Sequence, residues 1–125
     1  MEIKIIEVIS EHEVVVANKY GKMNAEWIGE SPKKDSIKNV EVEINDTLVW
    51  GQDIVETNDK NYKIESIDGR ICLQGCLESI SEDGYTVIRL GESIICVDTE
   101  GMPLLEIGDF VTIKATHIEL HDSRL

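Results

Sequence analysis

The sequence predicts an all-β protein, a small barrel or sandwich of short antiparallel strands. Short runs in which apolar and polar residues alternate, the pattern of half-buried strands, recur along the 125 residues. Turn-forming pairs such as Asp68-Gly69 separate these runs, and glycine suits such turns because it accepts positive φ. No segment carries the sustained apolar period of a helix. Strands at this regular spacing are typical of small barrels and sandwiches.

Four strands are predicted in the first third of the chain, over residues 3–9, 14–16, 23–27 and 40–44. The last of these alternates strictly from Val40 to Ile44, which is typical of a strand with one buried face. Met23, Ala25 and Trp27 share one face of the third strand, because side chains alternate along a strand. We therefore expect Trp27 to pack in the core, with contact to a partner as the alternative.

The middle of the chain is predicted to contain two short apolar runs and a hairpin. Residues 48–50 and 54–55 flank the polar turn 51–53. Residues 62–67 and 70–73 form a hairpin around the Asp68-Gly69 turn. Gly75 interrupts the second strand of this hairpin, and a glycine in that position indicates a bulge.

The last part of the chain supplies four more strands, over residues 77–80, 85–90, 93–97 and 110–120. Pro103 ends the third of these, since proline cannot donate to a sheet ladder. The order of parts, a three-stranded meander, a connection and a returning strand, resembles an OB-fold. The resemblance implies OB-like β-units, although residues 102–107 are too few for the helix that many OB-folds carry in this connection.

An internal similarity links the two halves of the chain. Residues 6–11 (IEVISE) resemble residues 77–82 (LESISE), and at the same offset of about 71 positions Val16 aligns with Val87. Either a duplication or the residue preferences that all strand–turn meanders share would explain this similarity. We expect one domain, residues 1–125, with two similar OB-like sub-units, 1–55 and 56–125, that share a core.

The charge narrows the classes of partner. The formal net charge is −13, which opposes nucleic-acid binding because phosphate contacts require Lys and Arg. It also opposes docking on anionic membrane surfaces. A basic protein partner is favoured, since opposite charge speeds association. A generally solvated acidic surface is the alternative.

The cysteine count and the apolar runs predict the compartment. Three cysteines, an odd number, argue against a disulfide framework and for a reducing environment. The N-terminal residues lack the charged and apolar regions of a signal peptide, and no apolar run approaches the ~20 residues of a membrane helix. We therefore expect a cytoplasmic protein.

Candidate partner-binding residues are concentrated in the turns of the second half. Acidic side chains fill these turns, and a tryptophan next to a glycine is added because Trp is enriched at interface hot spots. The predicted set is Glu82, Asp83, Glu92, Asp98, Glu100, Glu106, Asp109 and Trp50. A packing role is the alternative for Trp50.

A candidate metal set lies near the C-terminus. His117, Glu119 and His121 would share one face of an extended segment, and two imidazoles with a carboxylate can hold Zn²⁺ or Fe²⁺. A solvated polar face is favoured instead, because the spacing matches no recognised metal motif. Neither a nucleophile beside a base in a catalytic motif nor a glycine-rich phosphate loop is present. The sequence thus predicts no cofactor, no metal and no enzymatic activity.

The whole-chain profile is short, intracellular, strongly acidic and without a catalytic motif. This profile resembles that of the immunity proteins of bacterial toxin–immunity pairs. The resemblance implies a non-enzymatic protein that binds and neutralises a cognate, basic toxin domain, with no family residue to carry over. The alternative is an OB-like module that binds a small ligand or serves in an assembly. The oligomeric state stays open, because the sequence does not identify a free strand edge.

Overall fold

The computed structural model describes residues 1–123, which fold into twelve β-strands. Within this range there is no helix, hence none long and apolar enough to cross a membrane, and the fold is the predicted all-β small barrel. Most strands bury every second residue, which explains why sequence alternation located them. In chain order the strands are β1 Glu2–Val8, β2 Glu13–Asn18, β3 Gly21–Ile28, β4 Ile37–Glu43, β5 Leu48–Val49, β6 Ile54–Thr57, β7 Lys63–Ile67, β8 Arg70–Ile80, β9 Tyr85–Leu90, β10 Ser93–Glu100, β11 Phe110–Ala115 and β12 Glu119–Asp122.

Five of these strands close into a barrel in the order β1-β2-β3-β12-β4, with β4 pairing back to β1. All neighbours are antiparallel except β3 and β12, which run parallel. Large buried side chains fill the interior, among them Ile5, Met23, Trp27 and Leu120. Trp27 is therefore a core residue, as predicted. The strand order is compatible with an OB-like architecture, a five-stranded Greek-key barrel.

A second set of strands repeats this arrangement. β8, β9 and β10 form a meander, β11 pairs with β8, and β5 runs parallel to β10. β6 pairs with β11, so that β5 and β6 together hold the position that β12 holds in the barrel. Residues 50–53 form the turn between β5 and β6. β7 makes a hairpin with β8 and pairs with β3 at Gly21.

The pairing registers of the two units match residue by residue. Ile5 pairs with Val16 in the first unit, and Leu77 pairs with Ile88 in the second, 72 positions further along the chain. A register shift follows directly after Ile5 and again after Leu77. The offset between the units in these strands is thus 72 rather than about 71. At this offset buried residues align with buried residues.

The two units exchange their final strands. After β4 the chain crosses to the second unit as β5 and β6, and after β11 it returns as β12 to close the first barrel. Leu48 pairs with Thr99 just as Leu120 pairs with Trp27, and both leucines are buried. Each half of the chain therefore contributes strands that pair with the other half, and the buried side chains of both halves form one hydrophobic cluster.

Three predictions about individual strands are wrong. Residues 70–73 and 77–80 are not separate strands, because β8 runs without a break from Arg70 to Ile80. Residues 110–120 do not form one strand, because β11 ends and the chain crosses to the other unit before β12 begins. Gly75 makes no bulge, since the register shift in β8 follows Leu77. Gly75 instead gives room to the backbone of β9, because the Arg89 carbonyl oxygen lies where a Cβ atom at this position would be.

Candidate functional site

One end of the second unit collects two connecting segments, the turn 81–84 and the loop 101–109. The turn is held against β10 by the Thr99 N–H, which donates to the Gly84 carbonyl at 2.9 Å. The loop is held against β8 by the Gly108 N–H, which donates to the Leu77 carbonyl at 2.8 Å. Both segments therefore lie where β8 and β10 end and β9 and β11 begin.

Six of the eight predicted partner-binding residues are acids at this end of the molecule, and the segments 81–86 and 98–109 contain no Lys or Arg. We call this surface the acidic end; its acids are Glu82, Asp83, Asp98, Glu100, Glu106 and Asp109. Glu92 lies in the turn between β9 and β10, at the opposite end of the same strands. The predicted set is thus largely brought together, with Glu92 apart from it.

The acids of this end have two different roles. Asp83 and Asp109 stabilise their turns, because their carboxylates accept hydrogen bonds from the N–H groups of Tyr85 and Glu106. The Ser81 hydroxyl, together with the Tyr85 N–H, holds the pKa of Asp83 below its ordinary value. The four remaining side chains are exposed and make no ion pair within residues 1–123: Glu82, Asp98, Glu100 and Glu106. Four carboxylates are therefore available to a partner.

The loop 101–109 also exposes large apolar side chains between these acids. Met102 is 90% exposed, Leu104 is 98% exposed and Ile107 is 59% exposed, while Leu105 between them packs against the core. Sequence reasoning did not identify these three residues as candidates. Their signal was present, since apolar residues between Gly101 and Gly108 cannot all be buried by so short a connection.

Trp50 lies at the base of this loop and is half-buried. Its Nε1 donates to the Thr99 hydroxyl at 3.0 Å, and its backbone N–H donates to the Glu100 carbonyl at 2.9 Å. The indole also packs against the hydrophobic core. These contacts fix the end of β10 from which the loop departs, so Trp50 has a packing role in addition to any contact with a partner.

The three predicted metal-set residues lie at the edge where β12 closes the barrel. His117 Nε2 is 3.2 Å from the Glu26 carboxylate on β3. His121 Nε2 is 2.8 Å from the Glu43 carboxylate on β4 and 3.2 Å from Glu119. The two imidazoles therefore belong to separate groups that share Glu119. Sequence reasoning missed Glu26 and Glu43, because cross-strand pairing brings them in from β3 and β4.

The three cysteines are free thiols. Cys72 is buried on β8, and burial raises the pKa of its thiol above the ordinary value of 9.0. Cys96 on β10 is half-buried and faces away from the core that its neighbours Ile95 and Val97 enter. Because its pKa is raised, the Cys72 thiol carries little of the reactive thiolate at neutral pH.

Asp53 holds the turn between β5 and β6, which is the insertion that distinguishes the second unit from the first. Its carboxylate accepts hydrogen bonds from the Val49 N–H at 3.0 Å and from the Arg70 guanidinium at 2.9 Å. The Val49 hydrogen bond, and after it Arg70, hold the pKa of Asp53 below the ordinary value of 3.8. The same guanidinium donates to the Lys114 carbonyl at 2.8 Å, which ties the turn to β11.

Asp53→Asn is expected to lower the free energy of unfolding by about 1 kcal/mol at neutral pH, since the ion pair is partly exposed to solvent. Because the folded-state pKa is the lower one, the carboxylate stabilises the fold above pH 3.8, and this contribution is lost as the pH falls through the folded-state pKa. The difference in the free energy of unfolding between wild type and Asp53→Asn, measured by urea unfolding, should be smaller at acidic pH than at neutral pH. A difference independent of pH would contradict the assignment, and Asp46→Asn, at an exposed aspartate, serves as control.

Comparisons of the chain with protein-family models, curated proteins and solved structures gave no match. The class of protein is defined by the fold alone: a small all-β barrel protein built of two units that exchange strands. Its distinguishing surface is the acidic end, with three exposed apolar side chains on the loop 101–109.

Proposed function

We propose that this chain is a non-enzymatic binding protein that captures a basic protein partner at the acidic end. As the resemblance to immunity proteins implies, the partner would be a basic toxin domain. The chain would neutralise the toxin by covering the toxin's active site or substrate path. The observation that carries the proposal is the exposure of Met102, Leu104 and Ile107 between unpaired carboxylates.

Both components of this surface have a function in binding. Apolar side chains of this size provide most of the affinity when a partner covers them, because desolvated anchors at the centre of an interface carry most of the binding energy. The carboxylates around them steer a basic partner and raise the association rate. A solvent-exposed loop with neither a partner nor a ligand would leave these apolar side chains in water at a free-energy cost.

A pull-down with matched variants tests the proposal. The loop variant carries Met102→Ser, Leu104→Ser and Ile107→Ser. The control variant carries Ile37→Ser and Ile94→Ser, which replace isoleucines that are 65% and 52% exposed elsewhere on the surface. Immobilised proteins are incubated at low salt with a lysate of the source cells, and bound proteins are identified and quantified by mass spectrometry.

We expect wild type and the control variant to retain one basic protein in stoichiometric amount. The loop variant should retain at least about tenfold less of it, because three anchors of the interface are lost. Equal retention by the loop variant would show that this loop does not contribute to binding of the partner. Retention of no protein by any bait would overturn the proposal in favour of the OB-like ligand-binding module, for which a thermal-shift screen of small ligands is the next experiment.

A further inference from the structure

A row of four glutamates crosses the closed barrel on its outer face. Glu13 pairs with Glu26, Glu26 pairs with Glu119, and Glu119 pairs with Glu43, so the row runs across β2, β3, β12 and β4. Paired residues lie directly opposite each other, and like charges in such positions destabilise a sheet. Without a bound cation, only the solvent reduces the repulsion between these carboxylates, so the row destabilises the sheet.

The imidazole of His121 lies between two of these carboxylates and cannot donate a hydrogen bond to both. His121 Nε2 is 2.8 Å from a Glu43 oxygen and 3.2 Å from a Glu119 oxygen. A ring nitrogen carries at most one proton, so it can donate a good hydrogen bond to only one of two carboxylates. A divalent cation at the centre of the three ligand atoms would contact all of them and cancel the repulsion between Glu43 and Glu119.

The surroundings of Glu119 orient it for such a cation. Asn45 donates a hydrogen bond from Nδ2 to Glu119 Oε2 at 2.7 Å, which leaves Oε1 directed toward His121. Outer partners of this kind commonly hold metal-binding carboxylates and imidazoles in position. A groove along β4 and β10, lined by Glu43, Cys96 and His121, gives access from solvent.

We propose that His121 Nε2, Glu43 Oε2 and Glu119 Oε1 bind one Zn²⁺ ion, with water as the fourth ligand. One ligand atom from each of these residues lies within 4.8 Å of the others. Zinc bonds of about 2.0–2.2 Å place tetrahedral ligands about 3.3–3.6 Å apart, so His121 Nε2, which is 2.8 Å from the Glu43 oxygen and 3.2 Å from the Glu119 oxygen, would move away from each by less than about 1 Å. One imidazole with two carboxylates is a ligand set that suits Zn²⁺. His117 and Glu26 lie outside this set.

Titration of the metal-free full chain with Zn²⁺ alone, followed by calorimetry, tests the site. Wild type should bind one ion per chain. His121→Ala, Glu119→Gln and Glu43→Gln should each weaken binding by at least about tenfold, because even the outer partners of a metal site are worth that much. The matched controls are His12→Ala and Glu56→Gln, which remove an imidazole and a carboxylate outside the set and should leave the affinity unchanged.

Thermal unfolding separates a metal site from a set of ion pairs. Zn²⁺ should raise the Tm of wild type and of both controls, since a ligand that binds only the folded state stabilises it. It should not raise the Tm of His121→Ala. Metal-free Glu119→Gln should unfold at the wild-type temperature or above, because the substitution removes a repulsive charge. The proposal is overturned if wild type shows no saturable binding, or if His12→Ala weakens binding as much as His121→Ala does.

Discussion

Leu120→Ala is expected to lower the free energy of unfolding by about 2–5 kcal/mol, the usual cost of emptying a fully buried leucine site. Leu120 lies on β12 and is inaccessible to solvent inside the first barrel, where it is the partner of Trp27. Without its side chain, the strand that closes the barrel loses its principal buried contact. Leu48→Ala, at the equivalent position of β5, should produce a similar loss in the second unit.

The exchange of strands makes a stronger prediction about how the protein unfolds. Each unit contains a strand that the chain reaches only after passing through the other unit, so neither can lose its last strand without affecting its neighbour. We therefore expect Leu120→Ala to weaken both units together, in one cooperative transition.

The two tryptophans report on the two units separately. Trp27 is buried in the first barrel, and Trp50 packs at the second unit against Thr99. In Leu120→Ala carrying either Trp27→Phe or Trp50→Phe, urea unfolding followed by the fluorescence of the remaining tryptophan should give the same midpoint as circular dichroism of the same protein. Separate midpoints would mean that the units fold independently. Leu104→Ala, at a side chain that is 98% exposed, is the control and should change stability by less than about 0.5 kcal/mol.

The strands themselves could be predicted from sequence because their signal is local. Strict alternation from Val40 to Ile44 located β4, and the Asp68-Gly69 pair located the hairpin of β7 and β8. The break between β11 and β12 could not be predicted in this way. Residues 110–120 are rich in β-branched side chains throughout, and only the requirement to cross from one unit to the other divides them.

Local sequence patterns could not predict which strands pair when these are far apart in the chain. The internal similarity indicated two related units, but it could not indicate that β12 pairs with β3 and β4 rather than within its own half. The same limit applies to the candidate sites. His117, Glu119 and His121 were recognisable as neighbours in sequence, whereas Glu26 and Glu43 join them only through the register of the closed barrel.

Reversal of charge at the acidic end is expected to slow capture of the basic partner by at least about tenfold at low ionic strength. The acidic-end variant carries Glu82→Lys, Glu100→Lys and Glu106→Lys, at exposed carboxylates that stabilise no turn. A matched variant carries Glu2→Lys, Glu11→Lys and Glu92→Lys, also at exposed positions but outside the segments 81–86 and 98–109. The two variants have the same net charge, so a difference between their association rates measures the effect of the charges at the acidic end.

The association rate of the captured partner with these three proteins, measured by stopped flow at low and high salt, tests the proposed function most directly. We expect a slow rate for the acidic-end variant alone at low salt, and convergence of all three rates at high salt, because salt screens exposed charges beyond about 10 Å. Equal rates for the two variants at low salt would contradict the proposed function, since capture would then depend on net charge and not on the acidic end.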